Sequence, residues 1–140
     1  MSAEVHDNPT GWVAAHIRRY VESGGRDHTF NGRESLLITT RGRRSGQLRR
    51  TALYFGRDSD RYVLVATGRQ DPDWYRNLIA NPAVVVQVRA EIFGAVARPA
   101  TAGERPRLWE LMVAVFPKYA QYARQARREL PIVVLDMLAP

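Results

Sequence analysis

The 140-residue sequence contains no cysteine, and among its 21 basic residues lysine occurs once, as Lys118. The first absence excludes a disulfide framework and any metal or redox centre built on thiolates. No apolar run approaches the roughly 18 residues that a membrane-spanning helix needs. The opening MSAEVHDNPT lacks the basic and apolar regions of a signal peptide, so the cytoplasm is the expected compartment. Histidine is scarce as well: His6, His16 and His28 are scattered without ligand spacing, and no metal site is expected. No G-x-S-x-G elbow, Walker loop or G-x-G-x-x-G fingerprint occurs. Acidic residues stand mostly in turns and helix starts, where solvation and capping account for them, which leaves little support for paired-carboxylate hydrolysis. Chemistry in this chain is expected to come from a cofactor.

What remains is the composition of one globular domain, 45% hydrophobic and 25% charged, with a net charge of +7 carried by arginine. The length supports one core, so a flexible N-terminus over residues 1–10 and a single domain over 11–140 are expected. A net positive field attracts phosphates, carboxylates, nucleic acid or anionic lipid surfaces. A coding bias toward arginine explains the scarcity of lysine but not its clustering: five arginines fall within residues 41–50, RGRRSGQLRR.

Thr10 is a candidate N-cap for a first helix in which Trp12, Val13, His16, Ile17, Tyr20 and Val21 recur on one face until Gly24-Gly25 stops it. His16 on that face reads as a structural histidine. From residue 35 the period changes to two. SLLITT, QLRRTALYF and RYVLVAT read as three antiparallel strands in a meander, with Leu53 and Phe55 on one face of the second and Ala52 and Tyr54 on the other. Asp71-Pro72-Asp73 reads as N-cap, first position and acidic first turn of a short helix ending at Asn81-Pro82. AVVVQVRA and EIFGAVARP follow as a hairpin, the valine run suggesting burial on both faces. Thr101 and Glu104 have the spacing of a capping box, Pro117 divides two late helices, and IVVL closes the chain as a strand. The expected class is α+β, a small barrel or strongly curved sheet of about six mostly antiparallel strands with flanking helices.

A tight turn leaves backbone N–H groups pointing outward, and the glycines of RGRRSGQLRR let a ligand approach them. Arg43, Arg44 and Arg49 can add bidentate forks to phosphate or carboxylate oxygens, and Ser45 a hydroxyl. The alternative is a solvated basic hairpin that guards a sheet edge. Composition alone does not separate a mononucleotide, nucleic acid and lipid headgroups. Nucleic acid is disfavoured, because the few aromatics do not interleave with the arginines as a stacking platform requires.

The runs LLITTRGRRSGQLRRTALYFGRD, DRYVLVAT, DPDWYRNLIANPAVVVQV, ERPRLWELMVAVFPKYAQY and RRELPIVVL together strongly resemble the deazaflavin-dependent nitroreductase family. These are split β-barrel proteins that bind coenzyme F420, within a superfamily of flavin and deazaflavin oxidoreductases whose fold is of the FMN-binding split barrel type. The resemblance covers nearly everything from residue 20 to residue 136. It implies hydride transfer from the reduced deazaflavin to an electron-poor small molecule such as a nitro compound, quinone or activated double bond. FMN on the same fold, or a carrier or scavenger of F420 without efficient catalysis, are the alternatives.

Carried onto this chain, the family's phosphate-binding segment falls on Arg43, Arg44, Ser45, Gly46, Gln47 and Arg49. Tyr54 is placed near the ring pocket, Ala66 and Thr67 beside the deazaflavin, and Trp74, Tyr75 and Asn77 on the helix that helps close the site. Tyr119 and Tyr122, with Phe116, correspond to the aromatic substrate pocket. Tyr119, Tyr122 or Thr67 would supply a proton or hydrogen bond to the oxygen that gains charge. One departure concerns the loop after the third strand, usually longer and rich in lysine and glycine, and here contracted to Gly68–Pro72 with Arg69 as its cation. The family's membrane-associating extension is represented by one short amphipathic helix, so at most peripheral membrane contact is expected, in a monomer or homodimer.

Overall fold

The structure is a computed structural model that describes residues 4–138. The expectations for residues 1–3 and 139–140 lie outside the described residues. Strands form where β-branched, aromatic and other apolar residues run together between turn-forming segments, and helices where apolar residues recur every three to four positions. In chain order the elements are β1 (Val5–Asp7), α1 (Gly11–Glu22), β2 (Thr29–Phe30), β3 (Arg33–Arg41), β4 (Leu48–Tyr54), β5 (Gly56–Asp58) and β6 (Arg61–Val65). They continue with α2 (Asp73–Ala80), β7 (Ala83–Val88), β8 (Glu91–Pro99), α3 (Arg105–Val115), α4 (Lys118–Ala126) and β9 (Ile132–Met137).

Nine strands replace the expected six, because the short strands β1, β2 and β5 carry little periodic signal. β1 corrects the expectation of a flexible segment over residues 1–10: it pairs parallel to β4, and the Asp7 carboxylate accepts from the Arg50 guanidinium at 2.6 Å. The sheet runs β1-β4-β3-β7-β8-β9-β6-β5, with β2 on β3. The expected meander therefore breaks after its second strand, since β6 pairs with β5 and β9 and not with β4. Yet β4 and β5, near opposite ends of the path, are joined by the single residue Phe55. The sheet must curl until its ends meet, and no ladder crosses the junction among the described residues. The result is a barrel split along one seam, the α+β split barrel that the family resemblance implies.

The barrel interior holds Leu36, Ile38, Leu64, Val86 and Leu135, with Leu78 of α2 packed against them. A second cluster seats α3 and α4 on β6 and β9 through Leu108, Met112 and Tyr119, and a third seats α1 on β3 through Val13, Ile17 and Tyr20. The Tyr20 hydroxyl lies 3.0 Å from the Ser35 carbonyl and accepts from the Arg89 N–H at 2.8 Å, tying α1 to β3 and to the β7–β8 turn. The valine run is not buried on both faces. Val84 and Val86 point inward while Val85 is 47% exposed, because no described element covers the outside of this hairpin. Asp71 is not the cap of α2; its carboxylate is held by Arg128 at 2.7 Å, and Pro72 takes the cap position. No helix among the described residues is long and apolar enough to cross a membrane.

The Thr101–Glu104 pair makes both reciprocal bonds of a capping box, Thr101 N–H to Glu104 Oε1 at 2.9 Å and Glu104 N–H to Thr101 Oγ1 at 3.2 Å. The same carboxylate receives two bonds from Arg98 at 2.8 and 3.1 Å. Arg98 first, and then the Thr101 N–H, hold the Glu104 carboxyl at about 2, below its ordinary 4.5. A depressed carboxylate contributes stability above its unfolded value and loses it as pH falls through the folded value. The melting-temperature gap between wild type and Glu104→Gln is therefore expected to be widest at neutral pH and to close as pH falls from 4.5 toward about 2. A gap constant with pH would contradict this.

Candidate cofactor and substrate site

A cleft of about 1470 Å³ opens along the seam. Ala52, Leu53 and Tyr54 of β4 form one wall, and Val65, Thr67 and Gly68 at the end of β6 the other. Trp74 of α2 lines it as well. Phe116, also in the lining, is the hub of an aromatic cluster, with ring centroids 5.0 Å from Tyr54, 5.0 Å from Tyr119 and 6.0 Å from Tyr122. Five cations line the cleft, Arg33, Arg69, Lys118, Arg124 and Arg127, and none of its lining residues is an aspartate or glutamate. A low-dielectric groove of one charge sign concentrates anions.

Of the residues expected at the site, Tyr54, Thr67, Trp74, Tyr119 and Tyr122 are brought together in this cleft. The Tyr54 hydroxyl donates to the Phe30 carbonyl at 3.1 Å, so this ring serves as wall and its proton is engaged. Tyr119 is buried, and burial pushes its phenol well above the ordinary range, which keeps it a neutral donor at all working pH. Ala66 is fully buried and donates its N–H to the Pro131 carbonyl at 2.9 Å, fixing the backbone from which Thr67 enters the cleft. Tyr75 packs on the barrel core instead, its phenol raised by burial.

The arginine turn lies outside the cleft lining and is braced by α2. Gly46 takes φ 72°, and the Gly42 and Gly46 N–H groups close the turn on the Gln47 and Gly42 carbonyls at 2.7 and 2.9 Å. Asn77, 4% exposed, accepts from the Arg43 N–H at 3.1 Å and its guanidinium at 2.8 Å, and Asp73 takes the other Nη at 3.1 Å. Arg43 is thus a brace between hairpin and helix, not the free fork that its sequence position suggests. Ser45 Oγ accepts from the Gln47 N–H at 3.1 Å, and Arg49 donates to Gln47 Oε1 at 3.1 Å. The Arg44 and Ser45 N–H groups find no acceptor among the described residues. This leaves an outward concavity of two amides flanked by Arg44 and Arg49, a geometry suited to phosphate or carboxylate.

The contracted loop is pinned from the segment after α4: Arg128 donates to the Gly68 carbonyl at 3.1 Å and to Asp71 at 2.7 Å. Arg69 is left facing the cleft. Sequence reasoning missed the α1 side of the cleft. Trp12 stacks on Phe30 at 4.8 Å, and His16 Nε2 lies 2.8 Å from Ser35 Oγ, which itself donates to the His28 carbonyl at 2.9 Å. Burial, and then the nearby Arg19 charge, lower the His16 pKa. Arg33 was missed too, although a signal exists. Asn31-Gly32 is the strongest two-residue hairpin dipeptide, and its φ values of 51° and 76° place Arg33 directly opposite Phe30. Among the described residues no group of three His, Asp or Glu could hold a metal.

The fold is similar to that of an F420-H2 dependent reductase, FDR-A, with a TM-score of 0.67 and 32% identity over 73% of this chain and 93% of that one. It also matches a structure described as a domain-swapped dimer, with a TM-score of 0.71 and 31% identity over 92% of this chain and all of that one. The fold and this likeness together define a split-barrel reductase. An F420H(2)-dependent quinone reductase of Mycobacterium tuberculosis strain H37Rv is 37% identical over 107 residues, 72% of each chain. The model of the F420H(2)-dependent quinone reductase family matches residues 12–137, and the chain belongs to that family. It is an enzyme, an oxidoreductase that transfers hydride from the reduced deazaflavin. The family's cofactor is F420, and the FMN alternative finds no support.

Proposed function

We propose that the cleft seats the deazaflavin ring between β4 and the end of β6 and reduces a quinone on the aromatic side. The observation that carries this reading is a seam cleft walled by aromatics, with five cations and no carboxylate. It fits a planar, polyanionic cofactor. When bound, the cofactor supplies the hydride, and the protein supplies binding, orientation and a dry electrostatic setting. Arg44, Arg49 and the Arg44 and Ser45 amides take the anionic tail; Gly46 and Gln47 shape the turn, and Arg43 with Asn77 holds it against α2. Ala66 and Thr67 border the ring, Trp74 closes its end, and Tyr75 anchors that helix. Tyr122, Tyr119 or Thr67 gives the proton or hydrogen bond that the reduced oxygen needs. The cytoplasm is the compartment that this reading carries, with no nucleic-acid partner. A homodimer is favoured because a relative is a domain-swapped dimer.

The test combines fluorescence titration of F420 with single-turnover oxidation of the reduced cofactor by a quinone. Wild type binds and turns over. Tyr122→Phe is expected to bind F420 unchanged and to turn over about a hundredfold more slowly, in the range for loss of a positioned proton donor. Tight binding without turnover in wild type would instead make the protein a carrier.

A further inference from the structure

We propose that Arg33 faces the quinone oxygen that gains charge, and that the cleft consequently prefers quinones bearing an ionised hydroxyl. The inference rests on the quinone-reductase reading of the cleft and adds the substrate class.

Arg33 follows the Asn31-Gly32 turn, and its Nε donates to the Val115 carbonyl at 3.4 Å, across 82 positions of sequence. Its guanidinium sits 5.0 Å from the centre of the Phe116 ring, the hub of the aromatic cluster. One strand register, one helix end and one ring face thus hold a cation against the aromatic cluster of the cleft. Among the described residues no carboxylate pairs with it, whereas nine other arginines are engaged in ion pairs. A guanidinium has five N–H donors, and the Val115 carbonyl uses one. The remaining donors are left for a ligand beside the Phe116 cluster, and the guanidinium is a weakly hydrated charge already held in place there.

The chemistry asks for such a group. A hydride brings two electrons and one hydrogen nucleus to the quinone, a carbon–oxygen π bond becomes an oxygen lone pair, and the ring leaves as the hydroquinone monoanion until one proton arrives. That proton comes from a hydroxyl in the cleft or from water and balances the one released as the cofactor is oxidised. No other oxidant or reductant is needed. Arg33 stabilises the anionic oxygen before the proton is delivered. A quinone that already carries an ionised hydroxyl presents the same charge in the ground state and is held by the same fork.

The experiment uses the full chain and two probes of similar size: 2-hydroxy-1,4-naphthoquinone, ionised at neutral pH, and 2-methyl-1,4-naphthoquinone, which cannot ionise. Binding is followed by absorbance titration without cofactor, and turnover by stopped flow with reduced F420. Arg33→Met keeps the stacked hydrocarbon and removes the charge. It is expected to weaken the hydroxyquinone about ten- to a hundredfold, as for one charge-assisted bond, and to leave binding of the methylquinone within about twofold. With the methylquinone it lowers kcat by about the same factor at constant KM, because the charge there appears only in the transition state. Arg33→Lys recovers part of both. Should Arg33→Met lose its fold, Arg33→Gln carries the same comparison. Unchanged hydroxyquinone affinity and unchanged kcat overturn the proposal, as does an equal loss for both probes, which would mark Arg33 as packing for Phe116. Arg33-dependent hydroxyquinone binding in a wild type that turns over neither quinone leaves the anion site standing and removes the quinone-reductase reading.

Discussion

Gly25→Ala is expected to lower the melting temperature by at least about 10 °C, from a loss of about 3 kcal/mol or more at this chain length. Gly25 follows α1 with φ 87°, a region open to glycine. Its backbone also lies against the β7–β8 turn. A Cβ built there would fall inside the contact radius of the Arg89 carbonyl and 2.6 Å from the Ala90 nitrogen. Those atoms are backbone, so relief requires the turn to move. Moving it disturbs the bond from the Arg89 N–H to the Tyr20 hydroxyl and loosens α1 from the barrel. Gly24 is the internal control: its φ is 64°, but nothing lies within 4 Å of a built Cβ. Gly24→Ala should cost only the left-handed penalty of about 1 to 2 kcal/mol. Thermal unfolding of the two variants side by side checks the argument, and equal losses would refute it.

The second large effect is expected at Asn77. One buried side-chain oxygen accepts both the Arg43 amide at 3.1 Å and the Arg43 guanidinium at 2.8 Å. Asn77→Ala strands these donors at about 1 to 3 kcal/mol for the buried amide. It also releases the turn from α2. On the proposed reading the Arg44 and Ser45 amides then lose their fixed aim, and F420 affinity falls about ten- to a hundredfold. Asn77→Asp keeps the acceptor and should restore most of both. Denaturant unfolding and F420 titration read the two effects separately. A destabilised Asn77→Ala that binds F420 as wild type does would detach the turn from the cofactor.

Local pattern carried a good part of this molecule. The 3.6-residue stripe of α1, the β-rich runs of β3 and β4 between turn-forming segments and the capping box at Thr101 were legible because neighbours in sequence decide them. Which strand lies beside which was not, because β6 chooses β9, some 70 residues away, over the nearer β4. Val85 shows the same limit: a valine run reads as buried until one knows that nothing covers its outer face. At the site, the motif resemblance placed Tyr54, Thr67, Trp74, Tyr119 and Tyr122 in one cleft. It did not show that Arg43 is spent on Asn77, since that depends on where α2 lands. Arg33 escaped notice for a similar reason. Its turn is written in Asn31-Gly32, but its partner Val115 ends a helix in the other half of the chain.

The junction at Phe55 has a bearing on how such reductases diversify. In a closed barrel the distance between neighbouring walls is dictated by backbone pairing, and widening it means unzipping a ladder. Here no described ladder crosses the groove directly: its walls are joined by Phe55 on one side and the long way round the sheet on the other. Exchanging exposed lining residues such as Arg69, Lys118 or Gln125 can therefore retune the groove for other acceptors while the ladders and the buried clusters stay intact.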